Sequence, residues 1–382
     1  MESQNKLLIR GGTVIDPAAN FHGLTDVLIK NGKIIASSQD ERCDASQVID
    51  ATGCYVFPGL IDYHTHLFYG GTRIGVNPDL ALLPQGVTTA VDQGSAGISN
   101  MEAFFDTVIA RSQTRIFCHL HVALSGLESL PHNVEVVDPS LYDLKASLGL
   151  LEKYAGILLG LKIRQSREIV GELGLTPLEV TIRMAEEIGC RVVVHTTNPP
   201  DAVGKLAELL RTGDVFTHMY QGKGNSIVNA DGTIDERIYR ARERGVIFDT
   251  ADGRGHYSFD VAKKALTAGF APDIISTDLT SGNVYDQAVF GLPLIMSKYL
   301  ALGMSLDDVV KACTATPAKL IGMEGMLGTL TPGAFADVAV FRIAEKQVVF
   351  TDFAGRSLVC SQLLIPQLTV SKGEVVYRSL EL

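Results

Sequence analysis

Between residues 60 and 278, short apolar segments alternate with stretches of helical length, and nothing else in the chain limits its fold as much. Strand-like segments run over 60–66, 88–92, 116–123, 157–163, 191–196, 215–219, 247–250 and 274–278. Helical patterns fall near 101–111, 141–154, 177–188, 201–211, 234–244 and 258–268, then over 286–301 and 306–320. The link from the first strand to the second is short and irregular. Strands separated by helices predict parallel pairing, because each crossover needs a long connection. Eight such units match a closed (β/α)8 TIM barrel, an α/β fold. A doubly wound open sheet is the alternative.

The two ends read differently. Residues 6–56 hold short strand candidates and no helical period. Among them, 26–30 and 33–36 flank Asn31-Gly32, the strongest two-residue hairpin signal. Beyond residue 325 the β character returns over 333–341, 347–351, 368–370 and 374–377. A chain of 382 residues exceeds one small core, so a large domain and a smaller one are expected. Residues 57–325 would form the barrel. Residues 1–56 plus 326–382 would form a small β-sandwich domain built from both termini.

A net charge of −10 without any block of Lys or Arg argues against nucleic acid as a partner. Cys43, Cys54, Cys118, Cys190, Cys313 and Cys360 are scattered, as suits buried thiols in a reducing compartment rather than a disulfide frame. No basic-then-apolar leader opens the chain, and no apolar run is long enough to span a bilayer. A cytoplasmic protein without a membrane partner is expected.

Function in such a barrel sits at the C-terminal ends of the strands. Six metal-type residues fall there: His64 and His66 on strand one, Lys162 on strand four, His195 on five, His218 on six and Asp278 on eight. The chain has nine histidines, so four at strand ends is a strong concentration. Residues two apart on a strand share a face, so His64 and His66 can meet at one point. Imidazole and carboxylate suit Zn²⁺. Four His and one Asp exceed the needs of one tetrahedral ion with an open position, which favours two divalent ions. Such a pair, about 3.5–4 Å apart, can share a hydroxide and polarise a carbonyl. A cationic Lys162 would repel them. As a carbamate formed with CO2, it would instead be a two-oxygen anionic bridge.

The stretch Pro58-Gly59-Leu60-Ile61-Asp62-Tyr63-His64-Thr65-His66 resembles the amidohydrolase superfamily, specifically its dihydroorotase-like branch with two metals and a carboxylated lysine. Lys162, His195, His218 and Ser276-Thr277-Asp278 extend the resemblance. So does the tail, Ala315-Thr316-Pro317-Ala318-Lys319, Gly328-Thr329-Leu330, Pro332-Gly333 and Ala336-Asp337. The resemblance implies that His64, His66 and Asp278 hold the more buried metal and His195 and His218 the more exposed one. Carboxylated Lys162 would bridge both, and Asp278 would move the proton from nucleophile to leaving group.

True dihydroorotases place an Arg soon after the second histidine, whereas Leu67-Phe68-Tyr69-Gly70-Gly71 follows His66 here. The chain therefore resembles the deacetylase-type members most, which act on O- or N-acetylated α-substituted carboxylates. A cyclic amidase is the alternative, and an adenine-type deaminase ranks below it. A non-catalytic barrel scaffold is the rival of another class, and metal content separates the two. An isomerase or lyase using the same metals would differ in product mass.

Arg164, His256, Tyr220 and Arg73 are candidate substrate contacts. His119-Leu120-His121 repeats the His-x-His spacing on strand three, where the family has no ligand, so packing or hydrogen bonding is expected of it. Gly222-Lys223-Gly224 lacks the helix start of a phosphate loop. A homo-oligomer acting on a small molecule is expected.

Overall fold

The alternation of side chains along each strand sorts the barrel into two apolar layers. The computed structural model describes residues 6–36 and 45–382; Cys43 and Met1–Asn5 lie outside the described residues. Seven parallel strands pair in chain order: Leu60–Thr65, Val87–Gln93, Arg115–His121, Leu158–Arg164, Arg191–His195, Val215–Thr217 and Ile247–Asp249. Val193, Val215, Phe117, Val91 and Ile274 turn inward and pack with Ala318, Ile321 and Leu327. Their neighbours Val192, Val194, Phe216, Ile116 and Ala90 turn outward and pack under the helices. Both faces are buried, so these strands read as nearly continuous apolar runs.

The eighth segment is too irregular for a continuous ladder, yet it closes the ring. Bridges join Asp249 to Ile274 and Thr65 to Leu279. Asp278 N donates to His64 O at 2.8 Å, and His66 N to Leu279 O at 2.9 Å. The expected helices form with shifted ends. The pattern over 286–301 becomes a helix only at Leu292–Ala301. The one over 306–320 divides into Leu306–Ala312 and Ala315–Leu320, because Thr314, with φ −137° and ψ −81°, breaks the helical path ahead of Pro317.

Two further sheets draw on both chain ends. Lys33–Ile35, Val27–Lys30, Lys6–Arg10 and Gln47–Asp50 form one. Asn31 and Gly32, at φ 51° and 71°, make the tight turn between its first two strands. The other orders Glu374–Arg378, Ser357–Ser371, Val338–Thr351, Tyr55–Pro58, Thr13–Asp16 and Phe21–Leu24. Leu7, Ile9, Ile29 and Ile34 of the first sheet pack with Val14, Val56, Val338, Val340 and Leu368 of the second. The hairpin of Val338–Thr351 and Ser357–Ser371 is longer than the sequence suggests. Gln362, Pro366 and Gln367 interrupt its alternation, and the edge strand Phe21–Leu24 is mostly exposed, so neither carries a clear strand signal.

Phe57 and Pro58 belong to this second sheet, and the chain passes into the barrel at Gly59. There Gly59 N donates to Asp337 O at 2.7 Å, and a Cβ would stand 2.3 Å from Thr88 Oγ1. Glycine is required by that close approach.

Candidate active site

Simple alternation would leave His64 and His66 on the outer face, because Ile61 and Tyr63 already pack inside. A β-bulge reverses this. Asp62 pairs with Ala90 and Thr65 with Asp92, three steps against two. The extra residue turns the strand's end and re-aims both imidazoles inward. Their Nε2 atoms then face Asp278 Oδ1, at 3.6 Å from His64 and 3.2 Å from His66. His64 Nδ1 meets Asp249 Oδ2 at 3.3 Å, and His66 Nδ1 meets Ser95 Oγ at 3.1 Å.

His195 ends the fifth strand, and His218 follows the sixth. His218 Nδ1 donates to Ala251 O at 2.6 Å, which leaves its buried Nε2 without a partner. The His195 and His218 ring centres are 4.2 Å apart, and His218 lies 5.2 Å from His64. Potential ligand atoms of His64, His66 and Asp278 all lie within 4.8 Å of one another, as do those of His195, His218 and His256. Nitrogens held from behind, with the others converging, are what a metal shell requires. Burial holds His64, His195 and His218 well below the usual imidazole range, so they are neutral, the form that binds a cation.

Lys162 is 1% exposed, and its Nζ has no hydrogen-bond partner. Burial, partly opposed by Asp278 and Asp249, brings it down to about 7, so much of it is an uncharged amine near neutrality. An orphaned, nucleophilic amine among neutral histidines fits the chemistry of a carbamate and the charge of two cations. Asp278 is pushed up by burial, but the His66 hydrogen bond and the nearby imidazoles outweigh this and hold it at about 2. His218, Ala251 and Asp278 sit at φ 59°, 39° and 55°, a left-handed region that non-glycine residues rarely occupy. Such strain concentrates at functional sites.

The candidate substrate contacts divide. His256 joins His195 and His218, its Nδ1 meeting Thr197 Oγ1 at 2.8 Å and its Nε2 lying 3.7 Å from Asp278 Oδ2. Arg164 stands at the end of the fourth strand, but its Nη1 donates to both oxygens of buried Glu135, at 3.2 and 2.8 Å. Arg73 lies exposed on the loop after the first strand. Tyr220 is not at the site. It is fully buried, and its hydroxyl donates to Phe270 O at 2.9 Å. The left-handed turn at His218 carries the following residues away from the barrel axis, so Tyr220 packs beneath the helices.

Sequence reasoning missed Asp249 and Glu135. Asp249 ends a strand just as Asp278 does, and the same criterion could have found it. Glu135 sits in the long loop after strand three, between exposed Val134 and Val136, and carries no signal. His121, at the end of strand three, packs beside Lys162: a Cβ on Gly94 would stand 2.8 Å from Lys162 Cγ and 3.2 Å from His121 Cδ2. His119 is buried with neither ring nitrogen partnered among the described residues.

This constellation has known counterparts. The model of the amidohydrolase family matches residues 143–377. A deacetylase of Agrobacterium fabrum is 34% identical over 93% of this chain and 87% of its own. A solved structure named as a dihydroorotase superposes with a TM-score of 0.88 at 32% identity, covering 98% of each chain. Another, named as an adenine deaminase, also reaches 0.88, at 28% identity over 98% of this chain and 99% of its own. Those names differ in substrate, and both solved structures share this chain's fold. With an inward-facing histidine pair, a strand-eight aspartate and an orphaned lysine at the mouth of that barrel, the chain belongs to the amidohydrolase family.

Proposed function

We propose that the protein is a metal-dependent deacetylase acting on an O- or N-acetylated α-substituted carboxylate. Relatives named deacetylase, 34%, 32% and 28% identical over nearly the whole chain, support this choice within the family. The observation that carries the reading is the buried Lys162 amine, unpartnered and held near neutrality among histidines that are themselves neutral. In this reading His64, His66 and Asp278 would hold one divalent ion, and His195 and His218 the other. Lys162, carboxylated by CO2 with loss of a proton, would supply an anionic ligand to them. Zinc suits this nitrogen and oxygen set. When bound, such ions polarise the scissile carbonyl and lower the cost of making a nucleophile from water at neutral pH.

The chain's own groups do the rest. Asp278 is ionised throughout the neutral range, so it takes the proton that the attacking water releases. It then returns that proton to the departing nitrogen or oxygen, giving acetate and the free amine or alcohol. Asp249 and Ser95 hold the His64 and His66 rings in place. His256, uncharged because burial lowers it to about 4, contacts the substrate from the side of His195. Residues 59–325 act as the catalytic barrel, and the segments on either side of it as a β-sandwich that braces it. The enzyme works as a cytoplasmic homo-oligomer on a small molecule.

The test is a panel of acetylated hydroxy and amino acids given to metal-loaded protein, with metal content measured alongside. Release of acetate from at least one is expected, together with a CO2 adduct in the native mass. If all remain intact while a cyclic amide is opened, the deacetylase reading gives way to a cyclic amidase. The neighbour named dihydroorotase supports that second reading.

A further inference from the structure

The Gly222-Lys223-Gly224 turn, which has no place in a phosphate loop, stands on the segment that follows His218. It is fixed on both sides. A Cβ on Gly222 would lie 2.8 Å from Ser258 Cβ and 2.9 Å from Phe353 Cε1, and one on Gly224 would lie 2.6 Å from Asn198 Oδ1. Gln221 Oε1 accepts from Lys223 N at 2.7 Å, which fixes the backbone between them. Lys223 itself is exposed, and its Nζ is 5.6 Å from the centre of the Phe353 ring. That ammonium would stand only 3.3 Å from a Cβ on Gly255, the residue before His256. The lysine therefore reaches from the strand-six loop to the strand-seven turn, at the edge of the histidine cluster.

Among the cations on the segments around the site, Arg164, Arg254 and Lys223 differ in their partners. Arg164 is matched by the buried Glu135 carboxylate, so the pair presents little net charge. Arg254 points into solvent, 71% exposed and 4.0 Å from Asp286. Lys223 has no carboxylate within ion-pair distance among the described residues. Glu168, in the helix Arg167–Val170 after strand four, accepts from Asn198 Nδ2 at 2.8 Å.

We propose that Lys223, rather than Arg164, receives the carboxylate of the substrate and sets the enzyme's preference for acids. This rests on the deacetylase reading above. An unpaired ammonium on a fixed turn gives up no existing ion pair when an anion arrives. Arg164 would have to share its guanidinium with Glu135, whose charge opposes a second carboxylate. The exposed position also means that salt should weaken the preference.

The experiment compares an acetylated α-substituted acid with its neutral primary amide, using metal-loaded wild type, Lys223→Met, Lys223→Arg and Arg164→Met. Lys223→Met should cut the preference for the acid about tenfold, about 1.4 kcal/mol, through KM rather than kcat. Lys223→Arg should restore most of it, and added salt should lower it in wild type. A Lys223→Met preference within about twofold of wild type, or a larger loss in Arg164→Met, overturns the assignment. Binding of the deacetylated α-substituted acid, measured by calorimetry, separates the two levels of the argument. Wild type that binds the acid through Lys223 but hydrolyses neither compound loses the deacetylase reading and keeps this one. Wild type and Lys223→Met that bind the acid equally lose this one.

Discussion

The chain carries two His-x-His stretches on neighbouring parts of one barrel, and they have different fates. His64 and His66 each present one nitrogen to Asp278 and have the other held, by Asp249 and Ser95. His119 has neither nitrogen partnered among the described residues. His121 accepts from Ala123 N through Nδ1, which puts its proton on Nε2, facing Glu135 Oε1 at 3.7 Å. The spacing is identical, so it does not make a site. A bulge that turns the rings, polar partners placed on both sides of them, and convergence with other strands do.

The comparison breaks most readily at the first pair. His66→Ala or Asp278→Asn should lower the rate by about 10³-fold or more, with loss of bound metal, while His119→Leu should change it less than about threefold. Steady-state rates and metal analysis decide between them. A His119→Leu variant as damaged as His66→Ala would erase the distinction drawn here.

Asp249→Asn sharpens the comparison, because it replaces the carboxyl group behind His64 and leaves the proposed ligands in place. Metal affinity should fall about 10–100-fold. His121→Asn, which lacks such a carboxylate within hydrogen-bond reach, should cost less. Chelator competition measures both.

Lys162 tests the site through stability. Its native pKa, about 7, lies below the ordinary 10.5, so in the window between them the unfolded chain holds a proton that the folded one has lost. The contribution of Lys162 to the stability of the metal-free protein should therefore rise with pH from about 7 toward 10.5. Lys162→Met, which buries no ammonium, should be more thermostable below pH 7, and its advantage should shrink as pH rises. Melting curves in CO2-free buffer with chelator check this, and a constant difference across the range would contradict it.

The smallest effect belongs to His119. Replacing a buried, unpartnered imidazole by Leu leaves no polar group unsatisfied, so stability should be unchanged or higher by up to about 1 kcal/mol. Denaturant unfolding measures it. A large loss would mean that His119 has a partner that matters to the fold.

Much of this could be read from the chain alone. The βα alternation, the Asn31-Gly32 turn, and the histidines and Asp278 at strand ends are local patterns, fixed by side-chain period and turn chemistry. They led to the barrel and to the family. Tertiary structure decided what depends on partners distant in sequence. The bulge opposite Ala90 and Asp92 turned His64 and His66 inward, against the alternation of their own strand. The left-handed turn at His218 sent Tyr220 into the core, and a loop without any pattern brought Glu135 onto Arg164. A sequence records which groups are available. Only packing settles which of them share a desolvated pocket, because a charge or lone pair acquires its chemistry from the groups that replace water around it.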